Sequence, residues 1–212
     1  MSYFIVDIET IPNKKMYKHL PEVKAPSNYK DEEKIQAYIE KSTEEQIPKM
    51  ALDIDFAEIR AIGTYGDEES RSNIYNLDSP ENEKLEWFWE KAKNQTLVGF
   101  NILNFDLPIL LHRSLQLGIR PSSILKITKY SDDVIDLMDK LYHGGYVTNM
   151  NGKRPFSRGL KKVCEIYGIF NPMPDWDGSM VKDMSNEDLC TYLNNDLRLT
   201  KQLFEKMQGY YF

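Results

Sequence analysis

The sequence predicts an α/β fold, a mixed β-sheet flanked by helices, and three observations carry that expectation. An apolar strand opens the chain at residues 4–10, further apolar strands alternate with helical segments after residue 56, and the helices carry recognisable start and stop residues. At 212 residues the chain is expected to form one domain, with residues 13–56 as a partly helical insertion after the first strand.

Phe4, Ile5, Val6 and Ile8 justify the first strand. With a side-chain period of two, Asp7 and Glu9 share a face with Tyr3 and Ile5, while Phe4, Val6 and Ile8 take the other. The two carboxylates lie roughly 6.6 Å apart along the strand, near enough to hold one divalent cation or a pair, and too near for two uncompensated charges in a dry site. Asp-x-Glu recurs at Asp31 to Glu33 and at Asp67 to Glu69, in charged stretches that read as solvated; the first copy alone follows an apolar run.

Ile11-Pro12 breaks the strand, and the insertion that follows holds an amphipathic helix over residues 31–47, with Ile35, Tyr38, Ile39 and Ile47 at helical spacing between Pro26 and Pro48. Its charge suits a solvated face, or a lid or partner surface. Residues 58–65 and 72–77 read as a hairpin beside the first strand. Ser79-Pro80-Glu81 opens a helix with Leu85, Phe88, Trp89 and Ala92 on one stripe, and residues 96–100 form another strand. An apolar helix over 104–117 closes at Gly118, and 134–137 is a short strand. Residues 144–159 are glycine-rich and basic, 160–167 form a helix stopped by Gly168, and the last helix spans about 186–207.

A net charge of −6 and a pI near 5.2 argue against holding nucleic acid through phosphate contacts alone, unless divalent cations import the positive charge. No run approaches the ~18 apolar residues of a membrane span, and the start lacks the basic and apolar regions of a secretory signal, so an intracellular protein is expected. Cys164 and Cys190, without CxxC or Cys/His spacing, read as buried thiols rather than a disulfide or zinc site.

Two further acids stand out. Asp106 follows Phe105 in the first turn of a helix, just after strand 96–100 runs into Asn101. An aspartate there can cap free N–H groups, and a strand-to-helix junction is also where mixed sheets place sites. In the last helix Leu189, Leu193, Asp196, Thr200, Leu203 and Met207 trace an inward stripe that Asp196 interrupts. Asp196 either lies at the stripe's edge, leaving Leu197 as the apolar residue of that turn, or is held by a cation; Tyr192 precedes it by one turn.

Asp7-x-Glu9, Asn101-x-x-x-Phe105-Asp106 and Tyr192-x-x-x-Asp196 resemble the three exonuclease motifs of the DEDD superfamily, with the tyrosine of its DEDDy branch. The chain looks most similar to the stand-alone exonuclease domain related to family B DNA polymerases. The resemblance implies a ribonuclease H-like fold and a metal-dependent 3′–5′ exonuclease of single-stranded DNA ends. It implies two Mg²⁺ or Mn²⁺ ions roughly 3.5–4 Å apart, held by Asp7, Glu9, Asp106 and Asp196, with Tyr192 orienting the attacking water. A DNA polymerase or other replication protein would be a fitting partner.

For the substrate strand, Lys153, Arg154, Arg158, Lys161 and Lys162 form the densest basic cluster and suit phosphates, or a solvated helix face. Asn101 and Phe105 suit the terminal nucleotide. An exoribonuclease of the same fold, or a catalytically silent nucleic-acid-binding module, are the competing expectations.

Overall fold

The strand that carries Asp7 and Glu9 lies in the middle of the sheet. In the computed structural model, which describes residues 3–66, 71–122, 133–142 and 158–212, β1 (Tyr3–Pro12) pairs antiparallel with β2 (Ala57–Gly66) and parallel with β4 (Thr96–Gly99). Among the described residues five strands form one mixed sheet in the order β3-β2-β1-β4-β5, with β3 at Asn73–Ile74 and β5 at Val134–Asp136. The expected hairpin strand at 72–77 contracts to these two residues of β3, because Asn76 turns the chain: its Oδ1 accepts Asp78 N–H at 3.0 Å and its carbonyl accepts Ser79 N–H at 3.2 Å.

Both faces of the sheet are covered. Ile5, with Tyr3 beside it, packs into a core built on α7 (Asn186–Met207) and α6 (Leu160–Ile166); Phe4, Val6 and Ile8 pack against α3 (Glu81–Lys91) and α4 (Asp106–Leu117). The face assignment read from the period of two therefore holds. Buried Arg113 on α4 clamps this second layer by pairing with Glu81 on α3 at 2.5 Å, while Glu81 Oε1 also accepts Ile59 N–H at 2.8 Å.

Two stops follow the sequence directly. Gly118 takes φ 72° after α4 and Gly168 takes φ 71° after α6, the left-handed region that favours glycine. In the insertion, α1 (Glu32–Glu44) is capped by Asp31, which accepts Glu33 N–H at 3.0 Å, and it buries no residue, as a solvated helix should. The second Asp-x-Glu is thus a cap; the third, at Asp67 to Glu69, lies outside the described residues, as does most of the glycine-rich basic stretch. The 3₁₀ turns Lys14–His19 and Gly178–Asp183, α2 (Ile47–Met50) and α5 (Leu137–Leu141) are additions to the expected elements. Among the described residues no helix is long and apolar enough to cross a membrane.

Candidate active site

β1 delivers Asp7 and Glu9 to the face on which α7 lies, and a glycine lets that helix come close. Gly63 on β2 pairs with Asp7, and a Cβ there would sit 2.7 Å from Leu197 Cδ1 and 2.9 Å from Leu193 Cγ of α7. One ligand atom each from Asp7, Glu9 and Asp196 consequently lies within 4.8 Å of the others. The cavity around them, of about 230 Å³, is also lined by Asp106, Tyr192, Asn101, Phe100 and Phe105. The three motifs thus meet at one place.

Asp106 enters from the other side. The β1–β4 ladder ends at Ile5, and farther along β1 the Ile8 N–H donates to Asp106 Oδ1 at 3.1 Å. Asp106 is the first residue of α4, whose N-cap, Phe105, makes no side-chain cap bond. The carboxylate thus ties α4 to the strand between Asp7 and Glu9.

These acids repel one another in a poorly solvated place. Burial first, then Asp106, Glu9 and Asp196, pushes the Asp7 carboxyl well above its ordinary value, and Glu9 is raised by burial and by Asp196 and Asp106. Asp106 is pushed up to about 7 by burial, against the pull of the Ile8 N–H. Asp196 is also raised by burial, opposed by Lys161, Tyr192 and Asn195. Burial and the neighbouring acids push the Tyr192 phenol upward, so it stays protonated and donates its hydrogen bond to Asp196.

Lys161 is the cationic member of the group. Its Nζ lies 3.9 Å from Asp196 and 4.4 Å from the centre of the Tyr192 ring, and it donates to the Trp176 carbonyl. Lys162 points elsewhere, pairing with Glu165 at 2.8 Å in the open. Arg158 lies against the Tyr142 ring, 6.0 Å from its centre. Lys153 and Arg154 lie outside the described residues. Cys164 and Cys190 are free thiols; Cys164 is buried and points its sulfur at the Leu199 carbonyl.

Sequence reasoning missed Asp136, Gly63 and the insertion's Ala51 and Leu52, which also line the cavity. Buried Asp136, at the end of β5, accepts the Asn101, Met138 and Asp139 N–H groups on Oδ1 at 3.0, 2.9 and 3.2 Å, and Leu103 N–H on Oδ2 at 3.1 Å. It holds the turn in which Asn101 adopts a left-handed φ of 65° just ahead of Asp106. The available signal was close to that for Asp7: an acid directly after an apolar strand run, here Val134-Ile135.

Residues 52–196 match the family described as a predicted 3′–5′ exonuclease related to the exonuclease domain of PolB. The chain belongs to this family. The match takes in Asp106, Tyr192 and Asp196 and begins beyond Asp7 and Glu9. The family B DNA polymerase from the hyperthermophilic archaeon Pyrobaculum calidifontis shares the fold: TM-score 0.61 at 16% identity, covering 98% of this chain and 24% of the polymerase. The α/β mixed sheet flanked by helices is therefore that of a PolB exonuclease-like fold, and this family member spans about a quarter of that polymerase's length. No curated protein matches it.

Proposed function

We propose that this chain is a metal-dependent 3′–5′ exonuclease that hydrolyses the terminal phosphodiester of single-stranded DNA and releases nucleoside monophosphates. The observation that supports it best is the convergence of Asp7, Glu9 and Asp196, with ligand atoms within 4.8 Å of one another, in a cavity that Asp106 and Tyr192 also line.

The donor set fits hard divalent cations: carboxylate oxygens are the preferred ligands of Mg²⁺ and Mn²⁺. Among the described residues Lys161 is the one cation paired with these acids, too little positive charge to offset four carboxylates. Asp7, Glu9 and Asp196 would hold one ion, and Asp7 with Asp106 a second. When bound, such ions acidify a water and stabilise charge developing on the phosphate and the leaving oxygen.

The side chains have separate tasks. Tyr192, kept protonated and fixed by Asp196, positions the attacking water instead of taking its proton. Lys161 steadies the Tyr192 ring and holds its charge beside Asp196. Asn101 and Phe105 contact the terminal nucleotide, and Arg158, Lys161 and Lys162 meet phosphates upstream.

The test is a gel digest of 5′-labelled single-stranded DNA in Mg²⁺, Mn²⁺ or EDTA, with wild type and Asp7→Ala and a matched RNA strand alongside. A ladder shortening from the 3′ end, dependent on metal and absent in Asp7→Ala, is expected. Faster cleavage of the RNA would overturn the polymer assignment, and intact binding without cleavage would leave a silent binding module.

A further inference from the structure

The insertion leaves and rejoins the sheet at a closed neck, where Asn13 N–H donates to the Phe56 carbonyl at 3.0 Å. Its last part is fastened to the strand that bears Asp7 and Glu9. Met50, at the end of α2, is 2% exposed, and Thr10 Oγ1 donates to the Ala51 carbonyl at 2.6 Å. Leu52 follows at once, its own N–H donating to the Lys49 carbonyl at 3.0 Å and the next, of Asp53, to the Met50 carbonyl at 3.2 Å, so its backbone is pinned on both sides. Yet the Leu52 side chain is 71% exposed while lining the same cavity as the four acids, together with Ala51, Phe100 and Phe105.

An exposed leucine on a loose loop would mean nothing. Here an apolar side chain on a firmly held stretch of backbone borders an acidic cavity that already offers two aromatic side chains. Resting on the exonuclease reading, which seats the scissile phosphate at the acids, we infer that the insertion's end is a wall for the 3′-terminal nucleotide and that Leu52 packs on its base. The chemistry is sequence-tolerant, since every base presents an apolar face, and covering Leu52 removes apolar surface from water. The insertion thus becomes part of the substrate site, and it favours ends that carry a base.

The test uses 5′-fluorescein-labelled single strands ending either in an ordinary nucleotide or in an abasic residue, titrated with wild type and Leu52→Ala in Ca²⁺ and read by anisotropy. Because Leu52 is exposed, the substitution leaves the fold intact. On the ordinary end Leu52→Ala should weaken binding about five- to tenfold, the factor expected from covering part of a leucine side chain. On the abasic end the two proteins should bind alike. An equal change on both ends, including no change, overturns the inference. A parallel Mg²⁺ digest separates the two readings: no cleavage by wild type, with the base-dependent difference intact, would overturn the exonuclease reading and leave the Leu52 contact standing.

Discussion

The carboxylate of Asp136 accepts the backbone N–H of Asn101 at 3.0 Å across 35 residues of chain, and with Leu103 N–H on its other oxygen it fixes the turn that launches Asp106, while its bonds to Met138 and Asp139 N–H cap α5. Asp136→Ala would strand four partly buried N–H groups, a fully buried one costing about 1–3 kcal/mol, so a loss of about 3 kcal/mol is expected in denaturant unfolding. Asp136→Asn, which keeps one accepting oxygen, should cost about 1–3 kcal/mol. In the Asn variant the Mn²⁺ concentration that half-activates cleavage should rise. An unchanged metal midpoint with lowered stability would reduce Asp136 to a structural role.

Gly63 offers a test of the approach of α7. The Cβ of Gly63→Ala would sit 2.7 Å from Leu197 Cδ1, an overpacking expected to cost about 1–3 kcal/mol. The strain pushes Asp196 and Tyr192 away from Asp7, so kcat should fall more than stability alone explains. Ile109→Val, at a fully buried position in the other core layer, is the comparison, with an expected cost of about 0.5–1.5 kcal/mol. Equal kcat in the two variants at a temperature where both are folded would disprove the coupling.

The acids predict an inverse pH dependence of stability for the metal-free protein. Asp7, Glu9, Asp106 and Asp196 all have raised values, Asp106 about 7. Above the ordinary carboxylate range the unfolded chain has released protons that the folded chain still holds, so stability is full below that range and is lost as pH rises through the folded values. In EDTA the melting temperature should therefore decline from about pH 5 to about pH 8, and saturating Mn²⁺ should recover much of the loss by binding the ionised acids. A melting temperature that ignores Mn²⁺ at the upper pH would count against the metal site.

What the sequence disclosed and what it hid divide along a physical line. Period two in Tyr3 to Glu9 and the four–three stripe from Leu189 to Met207 are local patterns, and the three acids they expose, Asp7, Glu9 and Asp196, line the same cavity. The turns at Lys14–His19 and Gly178–Asp183 have no apolar period to betray them. Asp136 and Gly63 were hidden for another reason. Their importance lies in a partner far along the chain, the Asn101 turn in one case and α7 in the other, and no local propensity encodes that distance.

Removing the Tyr192 hydroxyl should do less than removing an acid. The phenol is protonated and bonded to Asp196, so it can position water but is a poor base. Tyr192→Phe is expected to lower kcat by about 10- to 100-fold, at or below the usual range for a positioned proton-transfer group. Asp7→Ala and Asp196→Ala should leave no measurable cleavage in single-turnover digests. Equal losses in all three variants would contradict this division of tasks.

The two lysines of α6 should differ, although the sequence makes them look alike. Lys161 reaches Asp196 and Tyr192, whereas Lys162 is 59% exposed in its side chain and pairs with Glu165, an arrangement worth about 0–1 kcal/mol. If Lys161 meets a phosphate, Lys161→Met should flatten the plot of log affinity against log salt by about 0.7 on a single strand, the release expected for one contact. Lys162 must give up Glu165 to do the same, so Lys162→Met should change the slope less. Because Lys161 also covers the Tyr192 ring, its loss should lower kcat, and that of Lys162 should not. An unchanged slope in Lys161→Met would remove the lysine from the phosphate path, and a larger change in Lys162→Met would reverse the assignment.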